Sequence, residues 1–250
     1  MGYKLSKGLA VFFFFGLSTV FAQNSGIIHY DIQRNWAKMM AHCNYISKEE
    51  RERSSYVYGS RAAWVTKASL KYNSRQTFFE YLPDEEQTRQ WSSRKENHDI
   101  YRDLEKNEML DVVTALGKEY IIKDSITCIS WKVQNAMKEI AGHICMSAFY
   151  HDSIRDKDIT AWFALDMPMS IGPDGYCGLP GVILELDMNE GAVVYTATAI
   201  VPASPELEIT PPALKQKSKT MSLSAFQDIE KQIIKDSQKQ RRPYFWGISY

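Results

Sequence analysis

Residues 161–188 read AWFALDMPMSIGPDGYCGLPGVILELDM, and this stretch does most to decide the fold. It opens with a strand-like run of alternating residues and closes with a second apolar run, Val182 to Asp187. The loop between the two runs is rich in proline and glycine, which restrict or widen the backbone angles available to a chain. Pro180 followed by Gly181 predicts a type II turn, with glycine at the position that needs a positive φ. The stretch therefore predicts two strands joined by a loop of closely specified shape.

Short runs of β-branched and aromatic residues lie on both sides of this stretch. Turn residues separate the runs so closely that crossover helices do not fit, which favours an antiparallel sheet. The segment from Trp36 to Arg53 instead contains helix-forming residues. The polar stretch 83–97 predicts a surface loop or a short helix. Strands are predicted at residues 26–34, 62–71, 76–82, 100–104, 109–114, 119–124, 127–133, 143–151, 159–165, 182–187 and 192–201.

The C-terminal part of the chain has a different composition. Residues 202–221 contain four prolines and no periodic pattern, which indicates a linker or a strap across the surface. An apolar stripe then predicts a helix that ends near Gln240, with capping-box spacing between Ser224 and Gln227. The last residues, YFWGISY, are expected to form a final strand or to cover the sheet. A docking segment for another protein is the alternative.

The N-terminal residues have the pattern of a secretory signal. Lys4 and Lys7 precede an apolar run from Leu9 to Phe21, and small residues predict cleavage after Ala22. The run is too short to span a bilayer comfortably, and no later segment is apolar enough to cross a membrane. We therefore expect a periplasmic or secreted protein with four parts: a signal peptide at 1–22, a β-rich domain at 23–201, a strap at 202–221, and a helix with an apolar tail at 222–250.

Charge and cysteine content narrow the function. The chain has 30 basic and 30 acidic residues, and removing residues 1–22 leaves 28 against 30, a net charge of about −2. Nucleic acid is therefore not an expected partner, because its binders concentrate positive charge.

In an oxidising compartment an even number of cysteines favours disulfides, with buried free thiols as the alternative. The candidates, which allow three pairings, are Cys43, Cys128, Cys145 and Cys177.

With the elements placed, CGLPGVILEL at residues 177–186 resembles the signature of the GLPGLI family, a set of exported proteins found mostly in Bacteroidetes. Val182 stands where the motif has leucine, and Cys177 where it usually has a small residue. The resemblance implies an exported β-rich domain without established activity, often encoded near outer-membrane transport systems. By analogy with periplasmic lipoprotein carriers, we expect a β-rich α+β fold, in which a single curved, mainly antiparallel sheet cups an apolar groove and a helix follows at the C-terminus. Other elements match in order: Trp131–Lys132, KEIAGHICMSA at 138–148, AWF at 161–163 and PMSIGP at 168–173.

Common catalytic motifs are absent: the sequence has no G-x-S-x-G, H-E-x-x-H or C-x-x-C. The loop between the predicted strands at 159–165 and 182–187, residues 166–181, is called the signature loop. Several carboxylates lie in or beside it, namely Asp166, Asp174, Glu185 and Asp187. We interpret them as turn residues that cap backbone N–H groups, because acid–base catalysis would need two carboxyls whose pKa values are pushed apart by different burial. No catalytic residue is predicted, and a hydrolase with an unrecognised carboxylate site ranks third among the hypotheses.

The signature loop offers a binding hypothesis. It would form a rigid lip beside an apolar groove and present four side chains to a ligand: Trp162, Phe163, Leu179 and Pro180. The alternative is that these residues anchor a tight turn in the core. We predict a non-enzymatic protein without a cofactor that binds an apolar or peptide ligand or assists an outer-membrane transport protein.

Copper binding is the second hypothesis. Thioether, thiolate and imidazole groups together suit Cu(I), and one segment contains all three: His143, Cys145, Met146 and His151. On a strand, however, His143 and Cys145 share one face while Met146 points to the other. Thiolate ligation would also compete with disulfide formation in this compartment. Core methionines and hydrogen-bonded histidines are the simpler interpretation.

Overall fold

The computed structural model describes residues 25–59, 64–83, 98–204, 206–214, 219–248 and 250. The predicted signal peptide lies outside these ranges, as does nearly all of the polar stretch 83–97. Three α-helices are described: α1 (Trp36–His42), α2 (Lys48–Tyr58) and α3 (Leu223–Gln240). The strands are β1 (Gly26–Arg34), β2 (Trp64–Tyr72), β3 (Gln76–Tyr81), β4 (His98–Asp103), β5 (Glu108–Ala115), β6 (Lys118–Ser125), β7 (Lys132–Ile140), β8 (His143–Asp152), β9 (Lys157–Ala164), β10 (Val182–Met188), β11 (Val193–Pro202) and β12 (Thr220–Met221).

All twelve strands belong to one sheet, in the order β12-β6-β5-β4-β3-β2-β1-β11-β10-β9-β8-β7. Each neighbouring pair runs antiparallel except β12 and β6, which run parallel. Short connections join most sequential strands, and the long-range pairing of β1 with β11 unites the two halves of the chain. The predicted antiparallel sheet with a C-terminal helix is confirmed.

One predicted strand is misplaced. The sequence predicts a strand at residues 127–133, whereas β7 begins at Lys132 and continues to Ile140. The segment before it is held by other contacts: Cys128 is bonded to Cys177, and the Trp131 indole N–H donates to the Cys177 carbonyl at 2.9 Å. The β-branched and aromatic residues of this segment therefore pack against the signature loop and do not pair as a strand before Lys132.

The sheet bends so that its two ends face each other. Phe226 of α3 packs against Tyr120 of β6, with ring centroids 5.5 Å apart. One turn further along the same helix, Glu230 binds Arg155 in the turn between β8 and β9. Strands near opposite ends of the sheet order are thus bridged by a single helix. The predicted curvature is present, and α3 lies across the concave side.

Large aromatic side chains fill the core at the centre of the sheet. Tyr30, Phe79 and Tyr195 are each no more than 1% exposed. The Tyr30 hydroxyl donates to the Ile183 carbonyl at 2.7 Å, which ties β1 to the strand that follows the signature loop. Burial of such side chains contributes about 1.5–3 kcal/mol each relative to exposure.

The C-terminal helix begins earlier than its capping-box spacing predicts. Ser222, not Ser224, is the N-cap, and its hydroxyl accepts from the Ala225 N–H. After α3 the chain forms a 3-10 turn at Tyr244–Trp246. Tyr250 is buried and its hydroxyl accepts from the Asn189 side-chain amide at 2.7 Å. Of the two expectations for the tail, covering the sheet is the one observed among its described residues.

The signature loop differs from the predicted type II turn. Gly181 does not have a positive φ; the loop glycines that do are Gly175 and Gly178. Glycine is nevertheless required at position 181, because a Cβ there would overlap the Ala164 carbonyl oxygen. The close approach of the Ala164 and Gly181 backbones explains this glycine, whereas the sequence alone suggested a positive φ. Among the described helices, none has the length and apolar character needed to cross a membrane.

Candidate functional site

A cavity of about 500 Å³ lies between the concave side of the sheet, the signature loop and α3. Part of its wall is apolar and comes from strands, from α3 and from the C-terminal tail: Ile100, Val113, Ile122, Leu223, Phe226 and Ile248. The rest of the wall carries charged side chains from four separate segments of the chain. This volume falls within the range of small-molecule sites, which also combine apolar walls with a few polar groups. The cavity is the candidate functional site.

The first charged pair comes from neighbouring strands. Arg102 of β4 and Asp111 of β5 form a two-point ion pair, with Nη2 and Oδ2 at 3.2 Å and a still closer contact between Nη1 and Oδ1. Both side chains are nearly buried, at 12% and 8% exposure. Burial raises the pKa of Asp111, and the Arg102 guanidinium opposes that rise. The two parallel N–H···O hydrogen bonds are the arrangement that a guanidinium and a carboxylate prefer.

The second pair joins a strand to the signature loop. His98 of β4 bonds through Nε2 to Asp174, which has a positive φ of 55° in the 3-10 turn Pro173–Gly175. Burial disfavours the charged imidazole, but the Tyr81 hydroxyl and Asp174 outweigh it and raise the pKa of His98 to about 10. Burial raises the pKa of Asp174, but His98, Arg155 and Lys157 together lower it below its ordinary value. The raised pKa favours the protonated imidazole, which pairs with the Asp174 carboxylate.

The third cluster ties the helix to the sheet. The Arg155 guanidinium bonds to Asp152 at 2.9 Å through Nη1 and to Glu230 of α3 through Nη2. Burial raises the pKa of Glu230, with Arg155 opposing. For Asp152, burial acts upward but the Arg155 charge and hydrogen bonds lower the pKa. One guanidinium thus serves two carboxylates of different acidity.

Lys157 differs from the other charged groups of the wall. It opens β9 and is only 2% exposed. Among the described residues, none accepts a hydrogen bond from its amine or forms an ion pair with it; its contacts are the Tyr250 and Tyr244 rings, with Nζ at 4.4 Å and 5.8 Å from the centroids. Burial, and then the Arg155 charge, lower the pKa of Lys157 well below its ordinary value.

The residues of the predicted lip lie elsewhere. Phe163 and Leu179 are buried in the core, at 1% and 2% exposure. Trp162 is half-buried beneath the Lys138 ammonium, 4.3 Å from its ring centroid, and Pro180 is exposed. None of these four side chains lines the cavity. The signature loop does border it, but through Asp174, Gly175, Tyr176 and Cys177.

The predicted copper ligands are not brought into one site. His143 bonds to Asp166 and His151 bonds to Asp158, each at 2.8 Å. The two histidines are eight residues apart on β8, about 26 Å along an extended strand. Cys145 is fully buried, and its thiol contacts the His143 carbonyl at 3.6 Å, while Met146 faces the other side of the strand. Within the described ranges, no cluster of three or more His, Cys, Asp or Glu residues has metal-binding geometry.

The cysteines divide into one disulfide and two thiols. Cys128 and Cys177 are bonded, and both lie on the wall of the cavity. Cys43 and Cys145 are buried free thiols. Both interpretations of the cysteine pattern therefore apply, each to one pair. The disulfide joins the segment before β7 to the signature loop and so helps to shape one side of the cavity.

Sequence reasoning located only part of this site. Asp174, Cys128 and Cys177 were singled out, but the other charged residues were not. Arg155 and Lys157 lie in or beside a polar hairpin turn, a pattern typical of solvent-exposed loops. In the folded protein α3 and the C-terminal tail cover these two residues. The local sequence around the turn does not indicate that cover.

A model of a family described as "Protein of unknown function (Porph_ging)" matches residues 152–185. The matched segment contains Asp152, Arg155, Lys157 and Asp174 of the cavity wall together with the whole signature loop. The match is to a Bacteroidetes-associated family of unknown function. No curated protein matches the sequence.

The solved structures that are similar to this chain include two of PNGF-II. The one in the P21 space group gives a TM-score of 0.50 at 13% identity and covers 82% of this chain. The one in the C2 space group gives 0.48 at the same identity. This chain spans about a third of the length of the PNGF-II chains, 33% and 32% respectively. At this identity the likeness to the P21 structure supports the β-rich fold and nothing further.

Proposed function

We infer that this protein is an exported, non-enzymatic binding protein that holds a small amphipathic molecule in the cavity beneath α3. The observation that carries this proposal is a cavity of about 500 Å³ with one apolar wall and one charged wall. An apolar body fits the side formed by Ile100, Val113 and Phe226, while polar groups of the ligand face the charged side. The ligand class is thus narrower than the apolar or peptide ligand expected from the sequence, because a wholly apolar ligand would displace water from the charged side of the wall without replacing its hydrogen bonds.

The charged pairs favour binding over turnover. His98, Arg102 and Arg155 each hold carboxylates in fixed geometry, so the polar wall is organised before a ligand arrives. Such preorganisation lowers the ordering cost of binding. The disulfide at the cavity wall supports an oxidising compartment such as the periplasm. A role beside an outer-membrane transport protein stays a prediction that rests on the family resemblance.

The test is binding of a neutral fluorescent amphiphile, N-phenyl-naphthylamine, to the purified protein. We expect its fluorescence to rise on binding and the rise to be lost in Val113→Phe, which fills the apolar wall. Val133→Phe is the matched control, because Val133 is half exposed on β7, away from the cavity. Equal binding by both variants, or none by the wild type, would refute the proposal. Native mass spectrometry of protein purified from the periplasm identifies any ligand that it carries.

A hydrolase is the second candidate function, and one observation favours it. Two carboxyls of the cavity have their pKa values pushed in opposite directions, Glu230 upward and Asp152 downward. Acid–base catalysis uses such pairs. Both carboxyls are bound to Arg155, however, which restricts the proton transfers open to them. Turnover of chromogenic glycosides or esters that is lost in Glu230→Gln and Asp152→Asn would establish this function in place of simple binding.

A further inference from the structure

We propose that the Lys157 amine condenses reversibly with an aldehyde or ketone group of the molecule held in the cavity, forming an imine and releasing water. This inference rests on the proposed function and names the reactive group of its ligand. The cavity would then bind its ligand through a reversible covalent bond as well as through non-covalent contacts.

The first argument is the isolation of Lys157 on a wall of paired charges. Seven other charged side chains line this cavity, and all are in ion pairs: His98, Arg102, Asp111, Asp152, Arg155, Asp174 and Glu230. Lys157 is 2% exposed and has aromatic rings as its neighbours, and no described residue accepts a hydrogen bond from its amine. Because Lys157 lines the cavity, a ligand group is expected to be the partner that the protein does not supply.

The second argument concerns the state of the amine. The groups that act on it come from every side: Arg155 and Asp152 from the turn, Asp174 from the signature loop, and Glu230 from α3. Burial and the Arg155 charge lower the pKa of Lys157, and the three carboxylates oppose them without prevailing. The tail contributes the tyrosine rings that flank the amine. Desolvation beside another cation is a known way to make a lysine nucleophilic at neutral pH.

The third argument selects a neutral carbonyl over an anionic ligand. A carboxylate ligand would also give Lys157 an acceptor. It would, however, lie among three carboxylates that already exert a field at this position, and like charges repel strongly in a buried site. An aldehyde or ketone carries no charge, and its apolar substituents suit the wall formed by Ile100, Val113 and Phe226.

The chemistry balances without any further reactant. The lone pair of Nζ adds to the carbonyl carbon, and the carbonyl oxygen takes protons as its bond to carbon breaks. The amine loses its two protons, the oxygen leaves as water, and a carbon–nitrogen double bond remains. No electron is gained or lost by the protein, and water reverses the reaction.

The experiment uses naphthaldehyde, a neutral carbonyl analogue of the fluorescent probe, with cyanoborohydride to reduce the imine to a stable amine. The aldehyde is kept below the protein concentration near neutral pH, and labelled lysines are identified by peptide mass mapping. Exposed Lys118 in the same molecule is the internal reference. We expect Lys157 to label at least about tenfold faster than Lys118, since each unit by which a pKa is lowered gives about tenfold more free amine.

The outcomes separate the two proposals. Labelling of Lys157 that is fast at neutral pH, and that excess N-phenyl-naphthylamine suppresses, supports covalent capture. Labelling no faster than that of Lys118, in a wild-type protein that binds N-phenyl-naphthylamine, overturns this inference and leaves the proposed function intact. Absence of probe binding overturns both. Lys157→Met, which keeps the length of the side chain, is expected to lose the fast-labelled site, whereas Lys118→Met should lose only the slowly labelled reference site.

Discussion

Replacing both Cys128 and Cys177 by serine is expected to destabilise the protein by about 4 kcal/mol. The two cysteines are 49 residues apart. A disulfide stabilises mainly by restricting the unfolded chain, and the loop-closure relation gives about 3 kcal/mol for 15 residues and about 4.7 kcal/mol for 100. A loop of this length therefore corresponds to about 4 kcal/mol. The Trp131 indole N–H and the Ile129 backbone N–H both donate to the Cys177 backbone carbonyl, which the substitution keeps, so the variant retains these hydrogen bonds.

The assay is urea unfolding followed by tryptophan fluorescence, with and without a reductant. The loss should appear as a lower midpoint in the double variant and in the reduced wild type, by similar amounts. The variant itself should not respond to reductant, because Cys43 and Cys145 are already free thiols. A difference below about 1 kcal/mol between oxidised wild type and variant would refute the loop-closure reasoning, since it would place most of the restriction elsewhere.

Four further predictions follow from the cavity wall and the signature loop. Glu230→Ala breaks a buried ion pair and should cost about 3–5 kcal/mol in unfolding free energy, whereas Asp228→Ala, exposed on the same helix, should cost less than about 1 kcal/mol. Lys157→Met should be more stable than the wild type. The wild type should also gain stability as pH rises towards about 10.4, because its unfolded chain binds more protons there, and the variant should lose that slope. NMR titration of His98 should give a pKa of about 10; its stabilising contribution is complete below about pH 6.5 and lost as pH rises through the folded value, and Asp174→Asn should lower that pKa. Gly181→Ala should lower the midpoint of thermal unfolding, because the added Cβ would overlap the Ala164 carbonyl oxygen. The backbone φ of Gly181 is not positive, so the loss would come from this overlap and not from backbone strain.

Ten of the twelve described strands, their antiparallel pairing and the C-terminal helix were predictable from the sequence. Their signals are local, because the alternation of side chains between two faces and the spacing of turns act within about ten residues. The misplaced strand at 127–133 marks the limit of such signals. Its residues suit a strand, but a disulfide and the Trp131 hydrogen bond hold them against the signature loop.

The sequence by itself determined where the chain extends, where it turns and where the last helix lies. The tertiary structure alone decided that Lys157, Arg155 and Asp174 lie around one cavity, because the bend of the sheet and the position of α3 bring distant segments together. A turn rich in charge has the same local pattern whether water or another part of the protein covers it. The burial, the pKa values and the ion pairs of these side chains depend on which part of the protein covers the turn. That part includes Glu230 of α3, which is more than seventy positions away from Arg155 along the chain.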